Sequence, residues 1–202
     1  MSNSNSRVLI LVEIAVIGAL AMALEYIPHS VGVSGINLSY GVVPITVLAL
    51  RRGTGAGMAA GLVWGLLDLV LRGFATGGFL NPLQGFIEYA VAFAFAGLAG
   101  LLYASFQRAI KDGRKQKAIA LGWGAGLIAA FAKFFWHFIA GWIYWGSYAP
   151  KGTPAWLYSL ITNGGSAVVT GLLTVIVVSV LVATVPKQLF EPKPTTHLQS
   201  QA

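Results

Sequence analysis

No cysteine occurs among the 202 residues of the chain, which excludes disulfide bonds and thiolate metal sites. Charged residues are also scarce. They make up 9% of the chain, against about 25% in soluble domains, while apolar residues make up 56%. This composition predicts an all-α membrane protein that crosses the bilayer several times. The polar start, Met1–Ser6, leads into a long apolar run without a small-residue cleavage site, which favours a retained first helix over a signal peptide.

Six apolar segments are candidates to cross the bilayer core, which requires roughly 20 residues each. They cover residues 7–27, 38–51, 54–72, 82–106, 117–146 and 155–186. The second is short and contains Gly41 and Pro44, so a kinked or only partly spanning helix is expected there. We therefore expect a six-helix transmembrane domain over residues 1–186. The polar residues 187–202, which include two prolines, are expected to form a disordered cytoplasmic tail.

Basic residues fall mainly on one side of this predicted topology. Ten of the 13 belong to the termini and to the connections after the second and fourth spans: Arg7, Arg51, Arg52, Arg108, Lys111, Arg114, Lys115, Lys117, Lys187 and Lys193. By the positive-inside rule, both termini are cytoplasmic. The net charge of +7 therefore reflects topology and attraction to anionic lipid headgroups, and no nucleic-acid partner is predicted.

The segment from Lys133 to Trp145 carries polar side chains inside an apolar helix. Lys133, His137, Gly141 and Trp145 are spaced four residues apart, so they form a row on one helix face. Ionisable groups within a membrane span are costly and are functional candidates by default. The glycine leaves room for a flat ligand beside the indole of Trp145, which can stack on an aromatic ring and attract a cation.

Further polar groups are predicted at the same depth. Glu88 lies at the external end of the fourth span, and Tyr158 and Asn163 lie at the start of the sixth, so three helices contribute to one external layer. If Glu88 pairs with Lys133, the two charges neutralise each other and the site binds through hydrogen bonds. If they stay apart, Glu88 is left for a cationic ligand or an amino-heterocycle. A structural ion pair without any ligand is the alternative.

The remaining acids and the glycine-rich segments carry no recognisable chemistry. Glu25 and Asp68 fall near external helix ends and are expected to be interfacial. No metal-ligand spacing and no nucleophile with a general base occur, so neither a metal site nor an enzyme is predicted. The segments Gly53–Gly65 and Gly122–Gly126 have no phosphate-loop ending. They suit tight helix packing, and no nucleotide or other cofactor is expected.

Small side chains recur at four-residue spacing in the first span, at Ala15, Ala19 and Ala23. Small residues allow two membrane helices to approach closely. This face serves either packing inside the bundle or docking of another membrane protein, and the pattern alone leaves both open.

Taken together, these stretches resemble the thiamine-specific substrate-binding subunits (S components) of energy-coupling factor transporters. The similar stretches are Glu88-Tyr89, Gly97–Gly100, Lys133–Trp145, Tyr148–Pro150, Gly152, Tyr158-Ser159 and Asn163-Gly164. The resemblance covers nearly the whole chain. It implies a six-helix protein of a prokaryotic cell membrane that captures thiamine from outside with high affinity. Its implied partners are a membrane coupling subunit and two cytoplasmic ATPases.

The resemblance also implies roles for individual residues. Glu88, His137, Tyr158 and Asn163 would bond the aminopyrimidine and neighbouring polar edges of thiamine, with Tyr89 and Gly141 beside them. Trp145 would stack on the vitamin and Lys133 would orient Glu88. The small-residue face at Ala15, Ala19 and Ala23 would dock on the coupling subunit.

The chain departs from the family in its first external connection. Some members have a tryptophan there, where this chain has Val31-Gly32-Val33-Ser34. Phe79 or Tyr40 would replace that aromatic wall only if the fold brings it near. Two alternative functions remain at this point: an S component for another aromatic vitamin, and a structural membrane protein that keeps Glu88 and Lys133 for stability alone.

Overall fold

A computed structural model describes residues 2–31 and 35–192 of the chain. The helices are α1 (Ser2–Leu24), α2 (Val42–Arg52), α3 (Thr54–Gly73), α4 (Pro82–Lys111), α5 (Lys115–Tyr144), α6 (Ala155–Thr184) and α7 (Pro186–Phe190). Strands β1 (Ser30–Val31) and β2 (Ile36–Asn37) form a two-residue antiparallel pair between α1 and α2. The predicted helical membrane bundle is thus confirmed.

Five of the described helices are long and apolar enough to cross a membrane: α1 from Ser6, α3, α4, α5 and α6. Helix α2 has 11 residues, a length of about 16 Å, which is too short for a bilayer core. Eight of those residues are buried, because α2 is an apolar helix enclosed by its neighbours. Six full spans are therefore not confirmed.

Helices α3 and α4 are irregular at the same end of the bundle. The last turn of α3, Leu69–Gly73, is a π-helix, and so is Phe86–Val91 of α4. Farther along, Ala96–Leu102 of α4 is a 3₁₀-helix. Single π turns inside α-helices are often found at functional sites, and here each lies beside a cavity.

Glycines bring α3 and α4 into backbone contact. A methyl group on Gly61 would overlap the carbonyl oxygen of Phe93, and one on Gly65 would overlap that of Tyr89. A methyl group on Gly57 would lie 3.0 Å from the Cα atom of Gly97. The glycine-rich part of α3 is therefore the face that packs against α4. The close approach fixes the position of the turn that carries Glu88 and Tyr89.

The predicted disordered tail is corrected at its start. Residues 186–190 form α7, whose Phe190 is fully buried and contacts Phe106 edge-on with 5.0 Å between ring centroids. The carbonyl of Phe190 accepts from Gln107 Nε2 (2.9 Å), and that of Leu189 accepts from Arg51 Nη1 (2.7 Å). Burial of an aromatic ring and these bonds hold the segment on the bundle. Residues 193–202 lie outside the described part of the chain.

Candidate functional site

A cavity of about 540 Å³ lies where α5 ends and α6 begins, a size within the usual range for small-molecule sites. It is lined by Gly35, Asn37, Gly77, Gly78, Glu88, His137, Gly141, Trp145, Tyr148, Tyr158, Ser159, Thr162 and Asn163. Six of the eight predicted ligand-binding residues are in this wall. The other two, Lys133 and Tyr89, line an adjoining cavity.

Glu88 is the one carboxylate among the described lining residues of this cavity. The π turn of α4 places it there, with its side chain 13% exposed. Its oxygens accept hydrogen bonds from Gln84 Nε2 and from Trp145 Nε1, the latter at 3.2 Å. His137 Nδ1 lies 3.9 Å from Oε1. Neutral donors thus surround most of the carboxylate, and its charge is not cancelled by a basic side chain in direct contact.

The row on α5 divides between the two cavities. His137, Gly141 and Trp145 line the larger one, while Lys133 is buried at 5% exposure. The Lys133 ammonium lies 3.2 Å from His137 Nε2 and 4.4 Å from the ring centroid of Phe93, a cation–π contact. Of the two arrangements that the sequence left open, the direct Glu88–Lys133 ion pair is not the one found among the described residues. Aromatic rings hold the Lys133 side chain one helical turn away from His137 along α5. Lys133 therefore contacts His137, and His137 lies beside the Glu88 carboxylate.

Helix α6 supplies the polar wall opposite Trp145. Tyr158 lines the cavity, and Asn163 Nδ2 donates to the carbonyl and the hydroxyl of Ser159, both at 3.2 Å. Ser159 in turn donates to Phe138 O at 2.8 Å. A methyl group on Gly141 would overlap the Ser159 hydroxyl oxygen. Gly141 therefore allows the close contact of α5 with α6 as well as lining the cavity.

An adjoining cavity of about 290 Å³ shares Asn37, Glu88, His137 and Asn163 with the larger one. Tyr89 is part of its wall. The Tyr89 hydroxyl donates to Gly78 O at 3.3 Å, and its ring stacks on Phe93 with an interplanar angle of 12°. Tyr89 thus links the glycine connection above the larger cavity to α4.

The aromatic residues of the described cavity wall are Trp145, Tyr148 and Tyr158. Tyr148 lines the cavity, and its ring centroid lies 5.3 Å from that of Trp145. Phe79 packs edge-on against Phe74 instead, and the Tyr40 hydroxyl bonds to Pro28 O. Neither is part of the described cavity wall. Residues 32–34 of the first external connection lie outside the described residues.

Sequence reasoning missed several members of the wall. Ser159 and Thr162 could have been found, since they share a polar helix face with Asn163 and Ser166 at the i, i+3, i+4, i+7 spacing. Asn37 carries no such signal, because it lies in the α1–α2 connection. Its backbone N–H donates to Ser166 Oγ at 2.9 Å, which fixes that connection against α6.

Two acids expected at the membrane interface are buried instead. Glu25 is 9% and Asp68 is 7% exposed, and both line the smaller cavity. Arg72 from the π turn of α3 lies 3.7 Å from a Glu25 oxygen and 3.4 Å from an Asp68 oxygen, and this ionic bridge compensates the burial. With Glu88 and Lys133, the described walls of the two cavities hold three carboxylates and two basic side chains.

The small residues of α1 lie on its outer surface. Ala15, Ala19 and Ala23 are exposed, whereas Gly18 is the residue that packs against Val63 of α3. Packing inside this bundle therefore does not account for the alanine row.

The chain is similar to known proteins over nearly its whole length. Residues 11–190 match the family model described as thiamine transporter protein. A protein of Lacticaseibacillus paracasei described as thiamine transporter ThiT is 51% identical over 198 residues, covering 98% of both chains. A Bacillus subtilis protein with the same description is 32% identical over 195 residues, covering 95% of this chain and 99% of the relative. The solved structure of ThiT from Listeria monocytogenes superposes with a TM-score of 0.84 at 40% identity, covering 93% of this chain and 100% of that chain.

Proposed function

Because the chain belongs to the thiamine transporter protein family and is a multi-pass membrane protein of bacteria, we propose that it captures thiamine at the external side of the cell membrane for uptake. In this proposal the chain acts as the S component of an energy-coupling factor transporter. Both termini and α7 face the cytoplasm, and the cavity between α5 and α6 opens outward.

The observation that carries the proposal is the pairing of Glu88 with aromatic rings in one cavity. Thiamine joins a planar aminopyrimidine to a thiazolium cation. A carboxylate can accept from the amino group and attract the cation, and an indole face can stack on either ring. Glu88 accepts a hydrogen bond from the Trp145 indole. When thiamine binds, its amino group donates a hydrogen bond to the same carboxylate.

The other side chains complete the polar edges of the site. His137 lies between Glu88 and Lys133 and offers a ring nitrogen on either side. Tyr158 and Asn163 approach from α6 and bond the far edge of the pyrimidine. Lys133 acts on Glu88 through His137, which is how it orients the carboxylate in this proposal.

Uptake requires partners in this proposal. The chain docks a membrane coupling subunit, which works with two cytoplasmic ATPases. Ala15, Ala19 and Ala23 form the contact, since they are exposed on α1 and have side chains small enough for close helix approach.

Titration of intrinsic tryptophan fluorescence with thiamine and with a panel of other aromatic vitamins tests the proposed ligand. Thiamine is expected to quench at micromolar concentration, because Trp145 lines the cavity. Trp145→Phe should remove most of this signal. Trp142→Phe is the matched control, since Trp142 is 49% exposed and its ring lies tilted against that of Phe138, outside the described cavity wall. If calorimetry and fluorescence both detect another vitamin but no thiamine, the proposed ligand is wrong.

A further inference from the structure

A cluster at the end of α1, buried except for the partly exposed Arg72, lies beside two connections that border the larger cavity. We call Glu25, Ser39, Asp68 and Arg72 the latch. Arg72 Nη1 donates to the backbone carbonyl of Glu25 at 3.1 Å and lies 3.7 Å from its carboxylate. Arg72 Nε lies 3.4 Å from Asp68 Oδ1, and Ser39 Oγ donates to Glu25 Oε1 at 3.1 Å. The Glu25 carboxylate thus contacts Ser39 of the α1–α2 connection and Arg72 of the last turn of α3, just before the α3–α4 connection.

The first of these connections joins α1 to α2. Ser39 follows Asn37 by two residues, and Asn37 lines both cavities. The Ser39 backbone N–H donates to Thr170 Oγ1 at 3.0 Å. The α1–α2 connection is therefore held between Glu25 on one side and α6 on the other.

The second connection follows Arg72 at the end of α3. It contributes Gly77 and Gly78 to the wall of the larger cavity. Gly77 has a φ of 64°, a conformation that other residues rarely adopt. Because glycines bring no side chain to pack, the position of this stretch depends on anchors such as the Arg72 contacts and the bond from Tyr89 to Gly78 O.

Stability alone is a weak explanation for the latch. Desolvating the two charges of a buried ion pair costs about as much as their attraction returns, and apolar replacements are often as stable. What such a pair does supply is a fixed geometry between the elements that it joins.

We infer that Glu25 and Arg72 are positioning residues for ligand binding, which hold the Asn37 and Gly77–Gly78 connections over the cavity and so slow the release of the ligand. This inference rests on the proposed binding of thiamine. It assigns the latch no contact with the vitamin. Its effect is on the two connections that line the cavity.

Two variants that change the charge in opposite directions distinguish a positioning role from a direct effect of charge on the ligand. Arg72→Gln makes the surroundings of the cavity more negative, which favours a cationic ligand, whereas Glu25→Gln makes them less negative. Loosening of the connections predicts faster release in both variants. A pure charge effect predicts opposite directions.

The experiment measures dissociation of radiolabelled thiamine from the purified full-length protein in nanodiscs after addition of excess unlabelled vitamin. Arg72→Gln and Glu25→Gln are each expected to raise the dissociation rate constant about tenfold. The double variant should be no faster than the singles, since the two residues act as one unit. Ser39→Ala keeps every charge and is expected to give a smaller increase in the same direction. Arg114→Gln is the matched control, since the Arg114–Asp112 pair is exposed.

Amide hydrogen exchange of the ligand-free variants supplies a second readout. Exchange should increase in residues 36–41 and 72–78 and stay unchanged in α5. Dissociation rates within twofold of the wild type in both Arg72→Gln and Ser39→Ala overturn the inference, as do opposite shifts in Arg72→Gln and Glu25→Gln. If the wild-type protein binds no thiamine, the proposed function fails instead. Unchanged exchange in the two connections would then overturn the latch as well.

Discussion

Replacement of Glu88 by glutamine isolates the charge at the centre of the proposed site. Glutamine has nearly the same size and keeps an oxygen that can accept from Trp145, so the cavity is expected to keep its shape. The variant loses the negative charge and, because an amide NH2 replaces one carboxylate oxygen, one of the two acceptor atoms that Gln84 and Trp145 use. The Glu88 side chain is 13% exposed, so water and salt screen this charge weakly.

The magnitude follows from two contributions. A hydrogen bond to a charged group contributes about 1.5–3 kcal/mol, against about 1 kcal/mol for a neutral one. The attraction between the carboxylate and a thiazolium at about 5 Å is on the order of 3 kcal/mol with an effective dielectric constant of about 20. The two contributions overlap, because both arise from the same charge. We therefore expect Kd for thiamine to rise about 100-fold, which corresponds to about 2.7 kcal/mol.

Isothermal titration calorimetry with two ligands checks this prediction. Oxythiamine carries an oxygen in place of the amino group of thiamine, so it cannot donate that hydrogen bond to Glu88. The wild type should prefer thiamine strongly, and Glu88→Gln should discriminate much less. Asp112→Asn, which removes an exposed acid at the α4–α5 connection, is the control for net charge. Binding of thiamine to Glu88→Gln within threefold of the wild type, or an equal loss for both ligands, would refute the reasoning.

Three further changes test the packing, the docking face and α7. Gly141→Ala should lower the free energy of unfolding by about 1–3 kcal/mol and weaken thiamine binding, since the added methyl overlaps the hydroxyl of Ser159; chemical denaturation and calorimetry measure the two effects. Ala19→Trp should abolish uptake by cells and leave thiamine binding to the purified protein intact, because the ring blocks close approach of a partner helix. Phe190→Ala should destabilise the protein by about 3–5 kcal/mol, because it empties a fully buried site against Phe106; thermal unfolding measures it.

Each of these changes has a matched control in the chain. Gly55 has open space at its Cβ position, so Gly55→Ala should not destabilise α3. Leu172 is 55% exposed on α6, so Leu172→Trp should permit uptake. Truncation after Pro192 should leave the melting temperature unchanged. Equal effects in variant and control would contradict the respective interpretation, and loss of thiamine binding in a folded Ala19→Trp protein would show that the docking face is misplaced.

The site residues on helices could be predicted because their signals are local. His137, Gly141 and Trp145 recur at helical spacing, and a charged residue inside an apolar segment is conspicuous. Their depth followed from counting residues along the spans. Glu88, Tyr158 and Asn163 were therefore predicted in one layer, and the structure brings them to one cavity.

The connections could not be predicted in the same way. Asn37 reaches the cavity through a bond from its backbone to Ser166, 129 residues later, which no local pattern encodes. Glu25 and Asp68 lie at helix ends, where side chains usually meet water or headgroups. They are buried because the π turn of α3 carries Arg72 back to them. The second apolar segment was expected to span the bilayer only in part, and α2 has 11 residues. Its burial among the other helices could not be predicted, since apolar composition does not distinguish a span from an enclosed helix.

The position of Lys133 decides between the two readings of Glu88 that the sequence left open. Lys133 is held by His137 and the ring of Phe93, so its charge does not neutralise Glu88 by direct contact. The described walls of the two cavities hold three carboxylates and two basic side chains, a formal charge of −1 when all five are counted as charged and histidine as neutral. A buried excess charge is costly unless it is compensated. A ligand with a single positive charge would compensate it, which supports thiamine as the proposed ligand. A neutral vitamin would leave the same charge buried and uncompensated.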